Sequence, residues 1–133
     1  MKYYNKLKIY FPIAVWPALV LAFHLISQEL SLYYYVRWLD TPMHFLGGMA
    51  IAAGSYYIFK HLEDKGELKT TPVVKIFLAI AITALAATLW EITEFAGDTL
   101  LQTHMQPSVW DTMKDLTMGL LGASLVSLLW KKS

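Results

Sequence analysis

Four long apolar blocks, separated by short polar segments, limit this chain to few folds. They cover residues 9–32, 41–59, 73–101 and 109–130. Each block is close to the roughly 20 apolar residues that a helix needs to cross a bilayer. The first is too long for a signal peptide and no cleavage site follows it, so we expect it to be retained. The sequence predicts an all-α integral membrane bundle of about four transmembrane helices, a single polytopic domain over residues 1–133.

Positive charge predicts the orientation of this bundle. With four spans, both termini and the connection between the second and third blocks lie on one side of the membrane. That side carries most of the cations: Lys2, Lys6, Lys8, Lys60, Lys65, Lys69, Lys75, Lys131 and Lys132. The other side has only Arg37 and Lys114. Because cytoplasmic segments are rich in lysine and arginine, we expect a multi-pass protein of a bacterial-type inner membrane, with both termini in the cytoplasm.

Composition excludes several classes of function. The chain has no cysteine, which rules out disulfides, thiolate nucleophiles and cysteine-ligated zinc. Its formal net charge is +1, so no strong field marks a nucleic-acid-binding protein. We therefore predict membrane lipid, and no nucleic acid, as a partner.

Polar residues recur at helical spacing in the predicted outer half of every block. The groups are His24 with Gln28, Asp40 with His44, Glu91 with Glu94 and Asp98, and Asp111 with Asp115. Spacings of three and four place side chains on one face of a helix. The six acids face only two cations, and a buried carboxylate costs about 2.5–3.5 kcal/mol at the centre of a membrane. The excess acids must therefore be hydrated, protonated or bound to a metal ion.

These residues form a candidate site for a divalent metal ion. The predicted ligands are Glu91, Glu94, Asp111 and Asp115, which suit Mg, Mn, Zn or Fe. We expect His44, oriented by Asp40, to act as general acid or base, although it also suits a ligand role. Further candidates are Asp98, His24 and Arg37.

Some of these residues also have purely structural explanations. Asp40 and Asp111 suit the first turn of a helix, as an N-cap and as part of a capping box that begins at Ser108. His24 and Gln28 suit an interhelical hydrogen bond. Glu91 and Glu94 have no such explanation, because they lie two or more turns before the end of their block.

Three motifs resemble those of the YjdF-type bacterial inner-membrane proteins. They begin at Asp40 (Asp-Thr-Pro-Met-His-Phe-Leu-Gly-Gly), at Trp90 (Trp-Glu-Ile-Thr-Glu) and at Trp110 (Trp-Asp-Thr-Met-Lys-Asp). A looser resemblance extends to VanZ-like membrane proteins. The family often has Gly-Asp before its Val-Trp-Asp, where this chain has Pro107-Ser108, so one expected acid is missing. The first resemblance implies a polytopic membrane protein with a shared polar site, and the second an envelope role.

Three functional hypotheses follow. The first is a metal-dependent hydrolase that acts on a lipid head group or lipid phosphate. The second is a proton- or ion-coupled transporter, and the third is a noncatalytic binding or assembly protein. Homo-oligomers are compatible with all three.

Overall fold

The computed structural model describes the backbone of residues 2–130 and the side chains of residue 11 and residues 13–130. The side chains of Lys2, Lys6 and Lys8, and all of Lys131 and Lys132, lie outside the described residues. The helices are α1 (Lys2–Glu29), α2 (Leu32–Tyr35), α3 (Asp40–Asp64), α4 (Pro72–Leu101) and α5 (Val109–Trp130). Between residues 2 and 130 there is no β-strand, which confirms the all-α prediction.

The bundle has an apolar outer surface and small or polar residues inside. Helix α4 is long and apolar enough to cross a membrane, and Ile13–Glu29 is a shorter apolar helical segment. Large apolar side chains point outwards, including Phe77 (70% exposed) and Phe95 (62%). Ser55 and Thr83, by contrast, are buried. Outward apolar residues with small polar ones between helices are typical of bundles in lipid, where helices associate by close packing.

Two helices differ from the predicted blocks by more than one residue: α1 (Lys2–Glu29 against residues 9–32) and α3 (Asp40–Asp64 against residues 41–59). Helix α1 ends at Glu29, before residue 32, because Ser31 adopts a left-handed conformation (φ 55°) and turns the chain into α2. Helix α3 continues past the predicted end at residue 59 to Asp64. Extending an existing helix costs much less than nucleating one, so the polar residues after the apolar block continue it. The helix ends just before Gly66, which has the positive φ (74°) common after a helix C-terminus.

Helix α3 lies in the middle of the bundle and packs against α1, α4 and α5. It comes closest to α5, where glycines bring the two backbones together. A Cβ atom at Gly48 would overlap the carbonyl group of Gly119, and one at Gly122 would overlap the carbonyl oxygen of Phe45. Close approach of two backbones at small residues is typical of helix packing in membranes. The same contact sets the distance between α3 and α5 near the acidic residues, because Gly48 lies one turn from His44 and Gly119 lies one turn from Asp115.

We expect Gly48→Ala to destabilise the folded bundle by about 1–3 kcal/mol, because the added methyl group forces α3 and α5 apart. Unfolding of the detergent-solubilised protein, followed by circular dichroism, measures the change. Gly47→Ala is the matched control, since its Cβ would meet only Val20 Cγ1 at 3.9 Å, an ordinary contact. Equal stability of the two variants would contradict this account of the α3–α5 contact.

Candidate metal centre

His44 lies at the centre of the acidic cluster and faces carboxylates from three helices. Its Nε2 atom is 3.4 Å from Asp40 Oδ1 and 3.9 Å from Asp115 Oδ2. Its Nδ1 atom is 3.9 Å from Glu91 Oε1. Asp40 and His44 are one turn apart on α3, Glu91 comes from α4, and Asp115 comes from α5. The two ring nitrogens therefore face two different sets of acids.

The set at Nε2 already contains a cation. Lys114 Nζ is 2.6 Å from Asp111 Oδ1, 3.5 Å from Asp115 Oδ1 and 3.9 Å from Asp40 Oδ2. Asp115 is only 2% exposed, and Lys114 supplies the positive charge next to it. Asp40 is not the N-cap of α3, because the helix begins at Asp40 and its N-cap is Leu39. Its carboxylate instead faces His44 and Lys114.

In the part of the chain that the structure describes, the set at Nδ1 has only neutral hydrogen-bond donors. Gln106 Nε2 donates to Glu91 Oε2 at 2.9 Å, and Trp90 Nε1 donates to Glu94 Oε1 at 2.8 Å. Glu91 and Glu94 are 5% and 6% exposed. Glu91 Oε1 is buried and accepts no hydrogen bond from the described residues. Among those residues, His44 is the one basic side chain within 4.0 Å of Glu91.

Two groups of three side chains have the geometry to hold a metal ion. One consists of Asp40, His44 and Asp115, and the other of His44, Glu91 and Glu94. In each group one potential ligand atom per residue lies within 4.8 Å of the others. We call them the lysine-side group and the glutamate-side group. They share His44, which is the main reason to treat the cluster as one site.

The other residues predicted from the sequence lie around these groups. Asp111 is paired with Lys114. Ser108 Oγ caps α5 by accepting a hydrogen bond from the backbone N–H of Asp111 at 3.2 Å, as the capping pattern predicted. Asp98 binds the loop that follows α4. Arg37 is exposed and forms no ion pair with the described residues. Neither metal-binding group includes Asp98, Asp111 or Arg37.

The loop between α4 and α5 is organised by Asp98. Its carboxylate accepts hydrogen bonds from Met105 N at 2.6 Å, Gln106 N at 2.8 Å and Thr103 Oγ1 at 2.6 Å. The loop includes left-handed residues at Gln102 (φ 57°) and His104 (φ 59°). This path carries the Gln106 amide back to Glu91. Sequence reasoning missed Gln106, because nothing in a polar loop sequence indicates where the loop folds back.

His24 supports the cluster from α1 and belongs to neither group. Its Nδ1 atom is 2.8 Å from Tyr33 Oη, and its ring packs edge-on against Trp90 with centroids 4.8 Å apart. Burial raises the pKa of Tyr33 to about 12, so this hydroxyl stays protonated at neutral pH. Trp90 in turn holds Glu94. Contacts from α1 and α2 thus reach the glutamate-side group through Trp90, whose role the sequence did not reveal.

Comparison with known proteins identifies the family. Residues 1–132 match the family described as "Predicted membrane protein (DUF2238)". The chain belongs to this family. The assignment covers nearly the whole chain, and it agrees with the resemblance to YjdF-type membrane proteins and with the predicted membrane location. No curated protein and no solved structure matches the chain significantly.

In this DUF2238 chain we expect Asp98→Ala to loosen the α4–α5 loop. Exchange of the Met105 and Gln106 amide protons should accelerate by about fivefold, because hydrogen bonds to a partly exposed carboxylate contribute about 1 kcal/mol. Hydrogen–deuterium exchange with mass spectrometry measures the effect. Thr103→Ala, which keeps both backbone hydrogen bonds to Asp98, should change exchange much less. Unchanged exchange in Asp98→Ala would mean that the loop is held by other contacts.

Proposed function

We propose that this chain binds one divalent metal ion at the glutamate-side group and uses it to hydrolyse the head group of a membrane lipid. The observation that carries the proposal is the pair of buried carboxylates, Glu91 and Glu94, which among the described residues have no cationic partner except the ring of His44. Burying an unpaired carboxylate is costly, and a divalent ion would supply the missing positive charge.

The surroundings of His44 support a metal on its Nδ1 side. A metal-binding histidine usually donates its second ring N–H to a carboxylate, which fixes the tautomer and the ring orientation. Here Asp40 stands next to Nε2 at 3.4 Å, while Nδ1 faces the glutamates. In this proposal His44 is a metal ligand and Asp40 orients it. This role differs from the sequence prediction, in which His44 is the general acid or base.

Hydrogen bonds to the glutamates also favour this arrangement. Gln106 holds Glu91 Oε2 and leaves Oε1 free on the side of His44. Trp90 holds one oxygen of Glu94 in the same way. In each carboxylate, a hydrogen bond to one oxygen fixes the orientation of the group, and the second oxygen remains available to bind a metal ion.

Lys114 is the reason to propose one metal ion and not two. Its ammonium group lies within 4.0 Å of Asp40, Asp111 and Asp115, where a second ion bound by the lysine-side group would lie. A lysine and a divalent ion repel each other at such distances. Asp111, predicted as a ligand, is in this proposal the partner of Lys114.

The proposed chemistry follows from the small number of protein ligands. A divalent ion with three protein ligands retains positions for water and a substrate oxygen, which is the arrangement of catalytic sites. It would lower the pKa of the attacking water and polarise a phosphate oxygen. Lys114, on the Nε2 side of His44, adds positive charge to the cluster for an anionic head group.

We further propose that α1, α3, α4 and α5 all cross an inner membrane with both termini in the cytoplasm. The lysine distribution in the sequence supports this orientation. It puts the cluster near the outer face, within reach of lipid head groups.

The transport alternative has weaker support. The hydroxyl groups of Ser55, Thr83 and Thr88, in the predicted inner halves of the spans, donate to carbonyl groups one turn earlier in their own helices. Among the described residues they therefore do not extend the acidic cluster into a polar path. The assembly alternative predicts that loss of Glu91 and Glu94 impairs folding even without metal.

We expect the purified protein to contain about one divalent ion per chain, and the double variant Glu91→Gln, Glu94→Gln to lose it while staying folded. Elemental analysis of detergent-purified protein, with circular dichroism as the test of folding, measures both. Asp111→Asn is the matched control and should keep the metal. Metal-free wild-type protein that gains no thermal stability from added Mn²⁺, Zn²⁺ or Mg²⁺ would refute the metal site.

We expect Lys114→Met to bind a second divalent ion, because it leaves Asp40, Asp111 and Asp115 without a cation. At saturating Mn²⁺ the metal content should rise from one ion to two per chain. Added metal should also raise the unfolding temperature of this variant more than that of the wild type. Lys114→Arg, which keeps the charge, should remain at one ion. A single ion in Lys114→Met would show that Lys114 does not exclude the second.

A further inference from the structure

A groove lies between α1 and α4, with α3 as its floor. It has a volume of about 300 Å³ and is partly open. Helices α1, α3 and α4 contribute most of its lining, over residues 17–24, 43–51 and 83–90, and Gly119 of α5 completes it. Each stretch is two helical turns, so the groove is about 10 Å long. We call it the α1–α4 groove.

The polar residues of this groove are concentrated at one end. His24, His44 and Trp90 line that end, together with Met43. The remaining lining is apolar except for Thr83, whose hydroxyl donates to Ala79 O at 2.9 Å and is thereby satisfied. The polar end is next to Glu91 and Glu94, through His44 and Trp90. The groove is therefore amphipathic along its length.

Its apolar part is open towards a surface that suits lipid. Within the same stretches of α1 and α4, Leu19 and Leu85 are 55% and 62% exposed. Small residues, among them Gly47 and Ala86, keep the groove wide. Within a membrane, a space of this shape is filled by a hydrocarbon chain, since water there would lack hydrogen-bond partners.

The charge at the polar end indicates the head group. Without a metal ion, the glutamates would repel an anionic group. With the ion in place, and with Lys114 nearby, the same end attracts phosphate oxygens. A hydrocarbon chain gains little free energy by moving from the bilayer into an apolar groove, so selectivity among lipids must come from the head group.

We propose that the α1–α4 groove seats one hydrocarbon chain of a phosphate-headed lipid, which enters sideways from the membrane and places its phosphate at the metal. This inference rests on the proposed metal site. It assigns the substrate class to anionic phospholipids or polyprenyl phosphates, and it makes head-group binding dependent on metal.

Photocrosslinking in phosphatidylcholine vesicles tests the proposal. The probe is phosphatidic acid with a diazirine in one acyl chain, used with Mn²⁺ or with EDTA, and adducts are mapped by mass spectrometry. We expect adducts on the groove residues Val20, Ile51 and Ala86, reduced severalfold by EDTA. Ala86→Leu, which fills the groove, should lose them and keep its metal. Ala81→Leu, on the exposed side of α4, is the matched control and should behave like the wild type.

The outcomes separate this inference from the metal proposal. Bound metal in the same samples, with adducts spread over all exposed helix surfaces, would overturn the groove and leave the metal site intact. Groove adducts that are equal in Mn²⁺ and EDTA would overturn the metal-bound head group. A second copy of the chain as occupant would appear as a disulfide-linked dimer of Ala86→Cys without lipid adducts. The absence of native cysteine makes that variant specific.

Discussion

The close approach of α3 and α5 is the contact on which the rest of this structure depends. Gly48 and Gly122 let the two backbones touch, and any side chain there would overlap a carbonyl group of the other helix. The glycines lie one turn from His44 and two turns from Asp115 along their helices. The same packing therefore determines how near the imidazole of α3 comes to the acid of α5. A wider spacing would separate the two halves of the cluster.

This packing concentrates negative charge where there is little water to screen it. The cluster handles that charge in two ways. On one side of His44, Lys114 lies within 4.0 Å of three aspartates and supplies a positive charge next to them. On the other side, the hydrogen bonds that Glu91 and Glu94 accept from described residues come from neutral N–H groups. Neutral donors orient a carboxylate but do not remove its charge, which is why we propose the metal ion on the glutamate side.

Parts of the structure that touch no ligand atom also shape the site. Asp98 gathers the α4–α5 loop by accepting two backbone hydrogen bonds, and the folded loop delivers Gln106 to Glu91. His24 packs on Trp90, which holds Glu94. The α1–α4 groove leads to this side of the cluster. A buried site, its supporting hydrogen bonds and an apolar approach thus meet at the same residues.

The sequence by itself determined the helices and identified the acidic and histidine residues of the candidate site. Apolar blocks of this length form helices, and spacings of three and four place Asp40 with His44 and Glu91 with Glu94 on common faces, because helical geometry is local. The family assignment agrees with the membrane class that the same blocks predicted.

Only the tertiary structure decided which charges pair. Lys114 and Asp111 are adjacent on one helix face, yet nothing local says that the same lysine also reaches Asp40 on α3. Gln106 lies in a loop whose path depends on left-handed residues and on Asp98. Helix periodicity tells which face a side chain occupies, while its partner across the bundle depends on how closely the helices approach. That distance is set here by the glycines of α3 and α5.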